Sequence, residues 1–156
     1  MIIKFSQEYL DALADIDYHS GLPYYDISNP TKADLEEWLS KKIEKGEEEF
    51  YLYKEGEEIL GAVGWKKYFE GGKNTCEITY LSVKKTDHSR GIGTQLLKYV
   101  EGKIRSSGFH TICLTTSQAH NEQAINFYQK HGYANYGVIE NHHREGVHSI
   151  IMKKKL

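Results

Sequence analysis

At 156 residues with a formal charge of −2, the chain has the size of one ordinary domain, expected to span residues 1–156 and to fold without disulfide or metal staples. Its 20 Lys and Arg against 22 Asp and Glu exclude the strongly basic balance of a dedicated nucleic-acid binder. No apolar run reaches membrane-spanning length, and Cys76 and Cys113 sit far apart in strand-like stretches, which fits a reducing compartment. The first residues, MIIKFSQEYLDAL, lack a charged leader followed by a long apolar core, so a soluble, cytoplasmic protein is expected.

MIIKF reads as a first strand, followed by a helix opened by Ser6 and carrying Leu10, Leu13 and Ile16 near one face. That helix should end before Gly21, where HSGLPYYDISNPT, holding both prolines, reads as an ordered surface loop. Thr31 is placed to cap a second helix in which Leu35, Trp38, Leu39 and Ile43 recur at helical spacing up to Gly46. Two strands follow around an EGEE turn, and a further strand is expected from Thr75 to Lys85. Ile92, Leu96, Leu97, Val100 and Ile104 then form an apolar stripe on a third helix that Gly108 ends. HTICLTT is a short buried strand, Asn121 to His131 a fourth helix with Ala124, Phe127 and Tyr128 on one side, and YANYGVI and HSIIMKK are two last strands.

The stretch HSRGIGTQLL joins a strand to the third helix with two glycines one residue apart. It lacks the lysine of a P-loop and the third glycine of a dinucleotide fingerprint, where Leu96 stands instead. What survives is a turn leading into a helix whose first amides have no intrahelical partner. Such an end attracts anions, and Gly91 and Gly93 let a phosphate approach the backbone closely. Taken alone, the pair could equally be a bare structural turn.

Residues 77 to 93 resemble the signature segment of the GCN5-related N-acetyltransferase superfamily, Gln/Arg-x-x-Gly-x-Gly/Ala between a strand and a helix. Here it reads His88-Ser89-Arg90-Gly91-Ile92-Gly93, with His88 where Gln or Arg is usual. A second segment, NEQAINFYQKHGY, is similar to the family's later motif at Asn121, Ala124, Phe127, Tyr128, Gly132 and Tyr133. The resemblance implies an α/β (α+β) fold, a mixed, mainly antiparallel central sheet of about seven strands flanked by about four helices. It also implies an acetyl-CoA-dependent N-acetyltransferase that transfers acetyl directly to an amine. In that family the turn amides bind the pyrophosphate of acetyl-CoA, which assigns the cradle to His88, Ser89, Arg90, Gly91, Ile92, Gly93 and Thr94. Leu81 and Val83 would pair their backbones with the pantetheine amides, the amide of Val83 polarising the thioester carbonyl, with Asn121 and Ala124 also on the cofactor.

Tyr128 resembles the tyrosine that protonates or positions the departing thiolate, though its place also suits a core aromatic. Glu77 resembles the strand glutamate that acts as base in one branch of the family, and reads equally as a sheet-surface glutamate. Asn121 could simply cap the fourth helix, and a turn arginine such as Arg90 is often only solvated.

Acceptor pockets in this fold draw on the least regular segments, here DYHSGLPYYD and ENHHREGVH. Tyr18, Tyr24, Tyr25 and Asp26 could enclose a cationic amine of a small molecule. His142, His143 and His148 lack metal-ligand spacing with any cysteine, so no metal is expected, and the Lys run at 153 to 155 reads as an exposed strand end. Two alternatives stand beside the small-molecule enzyme: an acetyltransferase of protein or peptide lysines or N-termini, and a non-catalytic CoA-binding module. Whether the chain forms a homodimer is open at this level.

Overall fold

The computed structural model describes residues 1–20, 30–67, 74–117 and 122–156. Strand β1 (Ile2–Lys4) leads through a 3-10 turn at Gln7–Tyr9 into α1 (Leu10–Ser20). The helix expected from Ser6 thus begins later: the Ser6 hydroxyl bonds Glu8 Oε1 at 2.8 Å instead of capping a backbone amide. Helix α2 (Lys32–Glu44) opens with a reciprocal capping box between Thr31 and Asp34. Its Leu35 and Leu39 are buried, whereas Trp38, expected on that face, is 37% exposed beneath the Lys42 ammonium.

Strands β2 (Glu48–Glu55) and β3 (Glu58–Lys67) form the hairpin around Gly56, and β4 (Thr75–Val83) follows. Then come α3 (Ile92–Ser106), β5 (Thr111–Ser117), α4 (Glu122–Lys130), β6 (Ala134–Arg144) and β7 (Val147–Lys155). The strands make one sheet in the order β1-β2-β3-β4-β5-β7-β6, in which only the β4–β5 pair is parallel.

The sheet is covered on both faces. One face, with Val63, Trp65, Cys76, Ile78, Ile112, Leu114 and Met152, packs against the apolar stripe of α3, all five residues of which are buried, and against Tyr128 of α4. The other, with Phe50, Leu52, Ala62 and Tyr80, packs against Leu13, Ile16, Leu35 and Leu39 of α1 and α2.

Two features of β4 depart from a regular strand. Gly64 pairs with Tyr80 and Trp65 with Ile78, so Thr79 has no partner on β3 and forms a bulge that re-aims the residues after it. Ile78 and Leu81 therefore point to the α3 side and Tyr80 to the α1 side. Secondly, β4 pairs with β5 only over Thr75–Glu77 against Thr111–Cys113, after which the two strands part. Among the described residues no helix is long and apolar enough to cross a membrane.

Leu97 is fully buried where α3 meets the sheet, so Leu97→Ala should cost about 2–5 kcal/mol of unfolding free energy in urea. Trp38→Ala, at a partly exposed position, should cost clearly less, and equal losses would contradict this packing.

Candidate active site

Where β4 and β5 part, the edge of β4 is left open. Lys84 N–H bonds Leu60 O of β3 at 2.9 Å, so by alternation the backbone groups of Ser82 face β3 while those of Leu81 and Val83 face away from it. That outward side borders a cleft of about 370 Å³, lined by Leu81, Ser82 and Val83, by the turn before α3, by the first turn of α3 and by one face of α4. The imidazole of His88 closes one end, donating Nε2–H to Val83 O at 3.0 Å.

Sequence makes the turn and sterics hold it. Ser89 has φ 69° and Gly91 φ 78°, two left-handed residues flanking Arg90, which curl the backbone so that successive amides converge. A Cβ built on Gly91 would meet nothing within 4 Å, so the open space before it belongs to the cleft. Gly93 faces α4 instead: a Cβ there would stand in ordinary contact, 3.5 Å from the Phe127 ring. The first intrahelical bond of α3 runs from Gln95 N–H to Gly91 O. Among the described residues no acceptor takes the N–H of Ser89, Gly91, Ile92, Gly93 or Thr94, and all five residues line the cleft. This is a preformed anion cradle at the positive end of a four-turn helix.

Alongside the cradle stands Tyr128. It is 8% exposed, lines the cleft, and its hydroxyl has no hydrogen-bond partner among the described residues. Burial pushes its phenol well above the ordinary tyrosine value, so it keeps its proton at neutral pH. Ser82 is 3% exposed and its Oγ likewise has no partner among the described residues, although the residue lines the cleft.

The model of the acetyltransferase (GNAT) family matches residues 10–133. The chain belongs to the GNAT acetyltransferase family. The uncharacterized protein YdhI of Bacillus subtilis (strain 168) is 38% identical over 92 residues, 59% of this chain and 53% of that protein. The chain thus spans about half the length of the curated relative it matches. Among solved structures, the ribosomal-protein-alanine N-acetyltransferase of Brucella melitensis superposes with a TM-score of 0.79 at 18% identity, covering 100% of this chain and 99% of that one. An aminoglycoside 6'-N-acetyltransferase complexed with coenzyme A superposes with a TM-score of 0.77 at 22% identity, covering 99% and 96%. At such identities these likenesses establish the GNAT fold, and the seven-stranded, mostly antiparallel sheet with four helices is that fold.

Measured against the GNAT motifs, the cleft brings together Leu81, Val83, His88, Ser89, Gly91, Ile92, Gly93, Thr94, Ala124 and Tyr128. Two expected residues stand apart from its lining. Arg90 turns away to bond Asp87 Oδ1 through Nη1 and the Glu55 carboxylate through Nη2, at 2.9 Å to each oxygen. Glu77 occupies the last rung paired with β5 and holds Lys66 Nζ at 3.6 Å, four residues, roughly 13 Å of extended strand, from Leu81. Asn121, Tyr24, Tyr25 and Asp26 lie outside the described residues, while Tyr18, on α1, is 53% exposed.

Phe127, a motif residue not assigned to the cofactor, also lines the cleft, as do Ser20, Ser82, Asp87 and Gln123, which match no motif position. Ser20 comes from a distant segment with no motif around it, and Ser82 stands between Leu81 and Val83, where the motif specifies no side chain. Asp87 was detectable as the acid three residues before Arg90, whose hydrogen bond, with that of Thr86, holds its carboxyl below the usual range.

The ENHHREGVH stretch lies within a strand but keeps part of its expected irregularity: β6 runs to Arg144 and turns at Gly146, its register with β7 is broken between Ile139 and Arg144, and Asn141 has φ 52°. Within it His142 Nδ1 meets Ser149 Oγ at 2.9 Å, and His148 Nδ1 accepts from Asn141 N–H at 3.1 Å. Among the described residues no group of three His, Cys, Asp or Glu could hold a metal.

Neither thiol is set up as a nucleophile. Cys76 is fully buried and desolvation pushes its thiol up to about 12; desolvation also raises Cys113. A thiol reagent at about pH 8 should therefore label Cys76 at least roughly 100-fold more slowly in the native than in the denatured protein. Rapid native labelling would readmit an acyl-cysteine route.

Proposed function

We propose that residues 1–156 form one catalytic domain, an acetyl-CoA-dependent N-acetyltransferase that passes acetyl directly to the primary amine of a small molecule in a ternary complex. The observation that carries this reading is the set of amides of Ser89, Gly91, Ile92, Gly93 and Thr94, which no acceptor takes among the described residues, beside the open backbone edge of Leu81 and Val83, with a Tyr128 hydroxyl in the same cleft that likewise has no partner among the described residues. Acetyl-CoA fits that donor set: a diphosphate needs several converging N–H groups and no side chain at Gly91, and a pantetheine arm is an extended amide chain that can complete an unpaired strand edge. When bound it supplies the activated acetyl group as a thioester.

The chain's own residues then have separate tasks. The amides of the turn and α3 hold the diphosphate, and the Val83 N–H, facing away from β3, polarises the thioester carbonyl as an oxyanion donor. As the amine nitrogen bonds to the carbonyl carbon and the carbon–sulfur bond breaks, Tyr128 gives its proton to the leaving thiolate and is reprotonated by the proton that the nitrogen sheds on becoming an amide. The attacking ammonium must first lose a proton, since a free alkyl amine titrates at about 10. Glu77, at the point where β4 and β5 part, is the proposed acceptor, reached through water. Ser82 offers a buried hydroxyl on the acceptor side, and Tyr24, Tyr25 and Asp26 are proposed to enclose the amine.

The small-molecule acceptor draws support from the aminoglycoside enzyme among the similar folds, although the ribosomal-protein enzyme shares that fold equally. A non-catalytic CoA-binding module would have no use for a protonated Tyr128 in the cleft whose hydroxyl has no partner among the described residues. The two unpaired cysteines suit a cytoplasmic setting.

Thiol release from acetyl-CoA should be measured across amines, polyamines, aminoglycosides, amino acids and lysine peptides. Turnover with small amines is expected; turnover with peptides alone would move the assignment to a protein-modifying enzyme, and none with any would leave the non-catalytic module. Tyr128→Phe should lower kcat by about 100-fold or more, and Glu77→Gln by at least about tenfold, with CoA affinity little changed. Unaltered rates would remove those roles. Gly91→Val places a branched side chain at φ 78° and should weaken CoA binding at least roughly tenfold, as read by calorimetry on folded protein.

A further inference from the structure

Beyond the motif residues, His131 touches the cradle from the end of α4. Its Nδ1 lies 2.8 Å from Phe127 O, and its Nε2 lies 3.1 Å from Thr94 Oγ1 in the first turn of α3. The ring is further fixed against Phe127, with centroids 4.4 Å apart. A carbonyl oxygen can only accept, so Nδ1 carries a proton. A neutral imidazole has only one N–H, which leaves Nε2 an acceptor and obliges Thr94 to donate its hydroxyl proton to it. Thr94 lines the cleft, and in this state it turns lone pairs, not a donor, toward the anion site. Protonated His131 donates from both nitrogens. Thr94 Oγ1 then accepts from Nε2–H, and its own proton is released to the cleft.

We propose that His131 is a positioning residue that sets the direction of the Thr94 hydroxyl, adding a donor and a nearby positive charge to the diphosphate cradle when protonated and withdrawing both when neutral. The proposal rests on reading the turn before α3 as a diphosphate cradle. Bound diphosphate favours the protonated ring, so the extra affinity is present toward acid pH and is lost toward alkaline pH. Several charged groups surround this element. On α3, Lys98 and Glu101 follow Thr94 by one and two turns; on α4, Lys130 precedes His131 and Tyr128 keeps its proton. On β7, Lys154 passes 3.7 Å from a Cβ position on Gly132 while Glu101 holds its Nζ at 2.8 Å. Among the described residues no carboxylate pairs with the His131 ring. Across the cleft stand His88 and Asp87, the latter kept ionised by Arg90.

The test is calorimetric titration of the wild type, Thr94→Val and His131→Phe with dephospho-CoA from about pH 5.5 to about pH 8.5, the range in which an imidazole changes charge. This ligand keeps the diphosphate but lacks the phosphate monoester that would itself titrate. The wild type should tighten toward acid pH by roughly five- to tenfold more than His131→Phe, with Thr94→Val, which keeps the charge but not the hydroxyl, in between. The slope left in His131→Phe measures the contribution of every other group. Nitrogen-15 spectra of the free wild type at the alkaline end should show the His131 proton on Nδ1, a readout that needs no variant to fold. Equal slopes in wild type and His131→Phe, or a proton on Nε2, would overturn the proposal while leaving the cradle intact. No binding of dephospho-CoA at any pH would remove the cradle itself, and this proposal with it.

Discussion

Everything at the candidate site depends on the parting of β4 from β5 after three paired residues. A parallel pair inside a sheet would normally continue to the end of the shorter strand, because an unpaired peptide group away from water is costly. Here the bulge at Thr79 bends β4 away, and Leu81 and Val83 keep backbone donors and acceptors that no neighbouring strand takes among the described residues. The sheet thus stores an unfilled edge in its middle, where a molecule with an extended amide chain can complete the ladder.

The same parting explains the positions of the helices. Because Leu81 and Val83 turn to the α3 face and Tyr80 and Ser82 toward α1, one short strand segment serves both sides of the sheet. On the α3 side it meets the helix whose first amides are free and the α4 face carrying Tyr128; toward α1, Tyr80 donates to Asp17 and Ser82 joins Ser20 at the cleft wall. A cofactor arm and an acceptor can therefore approach one carbonyl from opposite sides, as direct transfer requires.

Charge is distributed to leave the cradle positive. The Arg90 guanidinium is spent on Asp87 and Glu55 at the rim, so the attraction for an anion comes from backbone amides and the helix dipole, which are fixed by the fold and cost no side-chain ordering on binding. Side chains enter as modulators: His88 tethers the turn to β4, and His131 governs Thr94.

Residue spacing alone determined a good deal of this. The stripe of α3, the Thr31 cap, the Gly56 hairpin and the Gly91 turn into α3 each follow from forces acting within about one turn of chain, where periodicity, capping and positive φ leave a direct trace. Both acetyltransferase motifs were legible for the same reason. Only the tertiary structure decided where β4 and β5 separate, that the bulge at Thr79 reverses the strand's facing, that Arg90 leans out to Glu55, that ENHHREGVH continues a strand, and that Ser20, Ser82 and His131 reach the site. Those outcomes depend on contacts between segments tens of residues apart, whose register is set by the packing of both sheet faces together and is not written in any local pattern.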